Sequence, residues 1–321
     1  MQGFDISEAG RISAGRALLD AGAFASNFDA ITAELESGSD YQLLRVVKQA
    51  DRHHALFRLS SPRGLNYHIV EMGMNEDGKI VARDFYAVLG SEPFSALVRK
   101  FILPSFSDHS DVAKELARPD REYSVVAFKP LTDALQRGEL QKVLELYEQL
   151  PPNVQKTKTV LALRLNCASR LQDVKQMETA AAEFRRHHPE EIAPDLMTYV
   201  MFFNANQHEL ALASIDRIDH FVGGDPYLDM IRALVARSEN DLDQAQQLLV
   251  SAVETHLTPA QVHEELIDLT LHRKQFDLTL KYLLELEQRF ELEIADLSEI
   301  PTYAEFIKSP QYQQWQKRDK Q

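Results

Sequence analysis

Tyr67, Asp84 and Tyr86 are the residues of this chain whose types and spacing come closest to a chemical site. They fall in two runs of alternating polar and apolar residues, Leu65–Met74 and Lys79–Leu89, joined by Asn75-Glu76-Asp77-Gly78. Asp-Gly in so short a connection predicts a hairpin. Pairing about that turn sets Tyr67 opposite Tyr86 and Ile69 opposite Asp84, and alternation places Tyr67, Asp84 and Tyr86 on one face. A carboxylate between two phenols could act as an acid–base pair or line a small-ligand pocket. The same trio also describes a satisfied polar spot on a half-exposed sheet. The histidines offer less. In His53-His54 and His187-His188 the adjacent rings point apart, so neither doublet chelates alone, and His68 adds little. No Gly-x-Ser-x-Gly, phosphate loop, His-Glu-x-x-His or Cys–His pair is present. The sequence therefore predicts no enzyme, catalytic residue, metal or cofactor. A ligand pocket at Tyr67, Asp84 and Tyr86 is the alternative.

The elements that would position this trio form a small α+β region. Residues 1–38 read as helical, with Ala23–Glu36 the stronger part, because Phe24, Phe28, Ile31 and Leu35 make one apolar stripe. The period then changes to two. Strands are expected at Tyr41–Lys48, His53–Ser60, Leu65–Met74 and Lys79–Leu89, and their short connections allow only an antiparallel meander. Ser91 reads as the N-cap of a helix that carries Phe94, Leu97, Phe101 and Ile102 and ends near Pro104. Residues 1–104 are thus an α+β domain. The charged, weakly periodic stretch 105–122, with Pro119, is the expected linker.

The second half repeats itself. Val143, Met177, Ala211, Ala245 and Thr279 are spaced by 34 residues, as are Tyr147, Ala181, Ile215, Leu249 and Leu283, and Leu150, Phe184, Ile218, Ala252 and Leu286. Helix starts keep the phase: Asp225-Pro226 pairs a capping residue with proline, and Thr258-Pro259 adds Gln261 as a capping box. Gly138 and Asn240 share the position of the tight turn. Lys129-Pro130 is expected to cut the opening helix short. Residues 123–293 are helical repeats, and 294–321, with Pro301, Pro310, Tyr303, Phe306, Tyr312 and Trp315, form a helical cap over the last one.

Paired helices at this period resemble the tetratricopeptide repeat family over residues 158–293. The resemblance implies an all-α solenoid whose first helices line a concave face, with a peptide as the usual ligand. The family places a large residue fourth and a small one eighth in the first helix. Here the fourth places read Leu161, Asp195, Asp229 and His263, and the eighth Leu165, Tyr199, Ala233 and Ile267, which predicts first helices displaced by about a residue. The family's best-known ligand grip uses asparagines and cations on a C-terminal carboxylate. Asn166 stands at one such place, but Leu196, Met197, Val200, Tyr227 and Ile231 occupy the neighbourhood of the others, so a carboxylate clamp is not expected. The face instead offers Leu196, Val200, Phe203, Tyr227, Met230 and Leu234, with Glu264, Glu265 and Asp268 at its far end. That suits an apolar or basic amphipathic polypeptide segment. Core packing between repeats is the competing role. Residues 40–104 more weakly resemble a domain found ahead of such repeats in uncharacterised bacterial proteins, through Gly64-Leu65-Asn66-Tyr67-His68, Asp84-Phe85-Tyr86 and Gly90-Ser91-Glu92. That resemblance implies a curved sheet and helix of cystatin or nuclear-transport-factor type, without an activity.

Composition narrows the partner class. The chain has 321 residues and a net charge of −14, divided −4 in residues 1–120 and −10 in 121–321. Such a field repels a phosphate backbone, so nucleic acid is not expected as a partner. Cys167 is the single cysteine and can form no disulfide framework. No apolar run reaches the roughly 20 residues a membrane helix needs. Met1-Gln2-Gly3-Phe4 has no signal pattern, which fits a soluble cytoplasmic chain, or a periplasmic one whose leader was removed.

Overall fold

The computed structural model describes residues 25–49, 51–61, 64–97 and 125–317. The stretch 1–24 of the expected first helix, the continuation of the helix after Leu97 and the expected linker 105–122 lie outside the described residues. The chain divides into two compact units between Gln207 and His208.

The first unit opens with α1 (Ala25–Glu36), which Gly38 ends at φ 89°. Then come β1 (Asp40–Gln49), β2 (Arg52–Ser61), β3 (Gly64–Met74), β4 (Ile80–Ala87), a 3-10 turn (Val88–Gly90), β5 (Glu92–Pro93) and α2 (Phe94–Leu97). The sheet has five strands in sequence order, each antiparallel to its neighbour, rather than the four expected. The extra strand is short: Glu92 pairs with Ala87, and Pro93 with Tyr86. It displaces the expected helix start, because Ser91 takes a left-handed conformation (φ 58°) after the 3-10 turn instead of capping a helix.

The β3–β4 register also differs from the expected one. Tyr86 faces Ile69, and Asp84 faces Glu71. The turn is one residue longer than expected, since the Asn75 N–H bonds to the Lys79 carbonyl at 3.0 Å. A bulge between Glu71 and Met72 adds a second residue. One shift would have turned every β4 side chain to the other face. Two restore the parity, so Tyr67, Asp84 and Tyr86 still share a face.

The unit continues with α3 (Val125–Gln136), α4 (Leu140–Glu148), α5 (Pro152–Gln155), α6 (Lys158–Arg170), α7 (Val174–His187) and α8 (Ala193–Asn204). Contrary to expectation, α3 runs through Pro130. Pro130 lies inside the helix, where its missing N–H forfeits the bond to the Val126 carbonyl. Leu131, Ala134, Val143, Leu144, Tyr147 and Val154 form one buried cluster of this unit.

The second unit holds α9 (His208–Val222), α10 (Pro226–Ser238), α11 (Leu242–Val253), α12 (Ala260–His272) and α13 (Phe276–Phe290). Three 3-10 turns then lead to α14 (Pro310–Gln316). Phe306, Tyr312 and Trp315 join Leu249, Leu266, Leu283 and Leu286 in its core. Ser309 starts α14, its hydroxyl accepting the Tyr312 N–H at 3.2 Å. Asp225 caps α10 in the same way, accepting the Tyr227 N–H at 3.0 Å. Thr258 does not form the expected capping box. Its hydroxyl turns back to the Thr255 carbonyl at 2.9 Å, and α12 begins after Pro259.

The 34-residue step is built into the turns. The second helices start at Leu140, Val174, His208, Leu242 and Phe276. Two residues before each start, Gly138, Gln172, Asn206, Asn240 and Lys274 sit at φ between 56° and 73°. The next N–H reaches five residues back in every case, from Glu139 to Ala134, Asp173 to Ala168, Gln207 to Phe202, Asp241 to Ala236 and Gln275 to Thr270, at 2.8–3.1 Å. This is a Schellman-type end, which satisfies helix carbonyls that would otherwise be orphaned. All fifteen positions predicted from the period are buried. In the first helices Val160, Pro194, Leu228 and Val262, each one residue before the fourth place, are buried in phase, as are Leu165, Tyr199, Ala233 and Ile267 at the eighth.

Candidate functional site

In the first unit, helices α6 and α8 meet the sheet region at the 3-10 turn Val88–Gly90. Beside this contact lies an open cleft of about 790 Å³. Asn166, Leu196 and Val200, three residues expected to bind a peptide, line it together with Leu65 and Leu89 from the sheet region. Val200 is 45% exposed, whereas Leu196 is buried. Phe203 is half-buried further along α8. Backbone and side-chain bonds from one residue fix the sheet-side wall. Asn66 accepts the Tyr67 N–H at 2.9 Å and the Leu89 N–H at 3.2 Å, and its amide donates to His68 Nε2 at 3.0 Å.

The residues proposed for chemistry on the sheet are engaged elsewhere. Asp84 accepts the Ser95 hydroxyl at 2.6 Å, the Ser95 N–H at 3.1 Å and the Phe85 N–H at 2.9 Å. It therefore acts at the start of α2 as a cap would. Tyr86 donates its hydroxyl to Glu191 Oε2 at 2.7 Å, and Lys158 closes an ion pair on the same carboxylate. Burial first, and then the Glu191 charge, raise the Tyr86 phenol above its ordinary value. Tyr67 is fully buried. The shared face of these residues thus looks toward the unit's own helices.

The remaining expected residues belong to the second unit. Met230 is buried in its core, Tyr227 packs against that core, and Leu234 is half-buried. Glu264 is exposed on α12, while Arg237 engages both Glu265 at 3.5 Å and Asp268 at 2.5 Å. Burial raises the Glu265 carboxyl despite that partner. Tyr303 lies close enough for Asp268 and Glu264 to reinforce the upward shift that burial gives its phenol. The acidic end is therefore partly neutralised by Arg237.

His53 and His54 occupy opposite faces of β2, and His188 is held by the Lys156 carbonyl at 2.7 Å. Among the described residues, no group of three or more His, Cys, Asp or Glu side chains is placed to hold a metal ion. Nor is any described helix long and apolar enough to cross a membrane.

Several buried or half-buried ion pairs escaped the reading of the sequence. Arg164, on α6, stacks 4.5 Å from the Tyr147 ring centroid and pairs with Glu183. Asp195 is buried on α8 and accepts two bonds from Arg185, at 2.8 and 3.2 Å. Arg232 gathers Asp216, Asp219 and Asp229 at 2.8–2.9 Å. The available signal was the charge itself: Asp195 and Asp229 stand where the repeat pattern wants a large apolar residue. Such a substitution keeps its phase only when a paired cation satisfies it.

No family model matches the chain, and no curated protein matches it. Solved structures do. MamA from Desulfovibrio magneticus RS-1, residues 41 to its end, is 12% identical over 53% of this chain and 96% of its own, with a TM-score of 0.44. A tetratricopeptide repeat protein from Parabacteroides merdae ATCC 43184 is 15% identical over 70% of this chain and 84% of its own, with a TM-score of 0.43. Yeast Tom70 is 14% identical over 69% of this chain and 48% of its own, with a TM-score of 0.40. The paired-helix assignment itself rests on the recurrence of the turns and buried positions in this chain.

Proposed function

We propose that this protein is a non-catalytic interaction protein that holds a polypeptide segment against the first helices of its repeats. In the first unit the contacts are Asn166, Leu196, Val200 and Phe203. In the second they are Tyr227, Leu234, Glu264, Glu265 and Asp268, while Met230 belongs to the core beneath them. In this reading residues 1–104 are a domain of cystatin or nuclear-transport-factor type, 105–122 a linker, 123–293 the repeats and 294–321 their cap. One observation carries the proposal. The groups that could do chemistry are bound up in structural hydrogen bonds, Asp84 with Ser95 and Tyr86 with Glu191. Apolar Val200 and the Asn166 amide, by contrast, are left exposed on first helices beside an open cleft.

The test is capture with the full-length chain, followed by rebinding of the purified partner to wild type and to Val200→Glu and Asn166→Ala. The proposal expects binding to weaken in both variants while helical content is unchanged. Undiminished rebinding to both would refute these contacts, and turnover of a small molecule that depends on Asp84 would refute the non-catalytic reading.

A further inference from the structure

Resting on that polypeptide-binding reading, we propose that the sheet region forms one wall of the binding site, and that the cleft between it and α6 and α8 takes an uncharged, apolar segment in an extended conformation. The lining itself argues for this partner. The whole chain carries 35 basic and 49 acidic residues, yet among the described residues no ionisable side chain other than Tyr199 lines this cleft. A charge entering it would lose water and find no opposite charge. Apolar groups come from both sides: Leu65 and Leu89 from the sheet region, Leu163, Met197 and Val200 from the helices.

Asn166 supplies the polar recognition. It is exposed, and its amide is committed to no side-chain hydrogen bond among the described residues. An amide carries donors and an acceptor together, which matches one peptide group of a partner. That pairing needs a partner N–H and C=O left free side by side. An extended chain leaves them so, and a helix uses them internally. The opposite wall is preformed, because Val88 is fully buried and Leu89 is tied by its N–H to Asn66. A fixed wall spares the ordering cost of binding.

The test uses full-length protein and three capped, fluorescein-labelled octapeptides: one of Leu, Val, Ala and Ser only, and the same peptide with two Lys or with two Glu. Anisotropy titrations are run on wild type, Leu89→Glu, Val200→Lys and Asn166→Ala. Val174→Lys, an exposed apolar position on a second helix, is the control, and circular dichroism checks each fold. If Leu89→Glu fails to fold, Leu89→Ala replaces it. The expected result is that the neutral peptide binds best, at least tenfold weaker to both Leu89→Glu and Val200→Lys, several-fold weaker to Asn166→Ala, and unchanged with Val174→Lys. Sensitivity to Val200→Lys without sensitivity at Leu89 would overturn the sheet wall and leave the polypeptide reading intact. Preference for a charged peptide would overturn the proposed partner and likewise leave that reading intact. Binding indifferent to all three variants would overturn the site. Failure of every peptide to bind would count against both.

Discussion

Acid should weaken the second unit through His263. The ring is buried on α12, edge-on to Phe290 at 5.4 Å. Burial, and secondarily the Arg289 charge, lower its pKa to about 4 from 6.5. The folded unit therefore holds the imidazole neutral, while the unfolded chain protonates it near pH 6.5. The resulting stability is complete above that value and drains away as pH falls from about 6.5 to about 4. A difference of this size corresponds to about 3 kcal/mol, of which roughly 2–3 kcal/mol is lost by pH 4.5. Asp229 and Glu265 in the same unit have raised values and act with the opposite sign, their stability being lost as pH rises through the ordinary carboxylate range. The wild-type slope is therefore a net quantity, and comparison with His263→Gln isolates the histidine. Trp315 is the only tryptophan of the chain and is buried in this unit's core, so its fluorescence reports this unit. Urea titrations between pH 4.5 and 7.5 should show wild type losing about 2–3 kcal/mol more than His263→Gln on acidification. Equal losses in the two proteins would refute a neutral, desolvated His263.

Other outcomes follow from the same geometry. Gly138→Ala should cost about 1 kcal/mol in urea titration, because its φ of 73° is unfavourable to any Cβ although nothing lies within 4 Å of one; Lys274→Gly, at φ 56°, should be neutral or slightly stabilising. Phe306→Ala should destabilise the second unit by about 3–5 kcal/mol in Trp315 fluorescence, since the ring is fully buried against Phe276 and Tyr312. Tyr86→Phe should cost the first unit about 1–2 kcal/mol by removing a charge-assisted bond to Glu191, with calorimetry as the readout.

The helical half was legible because its code is local and repeated. Positions 34 apart share a burial environment, so Val143 through Thr279 could be assigned from spacing alone. The turns were half legible. Gly138 and Asn240 announce a left-handed residue, but Gln172 and Lys274 adopt the same backbone with no sequence signal, imposed by the packing on either side. The sheet was legible as a meander, yet its register depended on one extra turn residue and one bulge, neither of which alternation encodes. The face of Tyr67, Asp84 and Tyr86 survived only because the two shifts cancel in parity. What alternation could not reveal was that this face meets Glu191, 105 residues away. For the expected peptide-binding residues, helical spacing gave the face but not the exposure. Val200 and Leu196 are four residues apart on α8, and one is open while the other is buried.

The central claim is that a polypeptide binds on the first helices. The most direct measurement is amide hydrogen exchange of the full-length protein with and without its purified partner. The account predicts added protection in α6, α8 and the Val88–Gly90 turn of the first unit, or in α10 and α12 of the second, with the second helices α4, α7, α9, α11 and α13 unchanged. Protection confined to those second helices, or to the β1–β2 and β3–β4 hairpin ends, would contradict it.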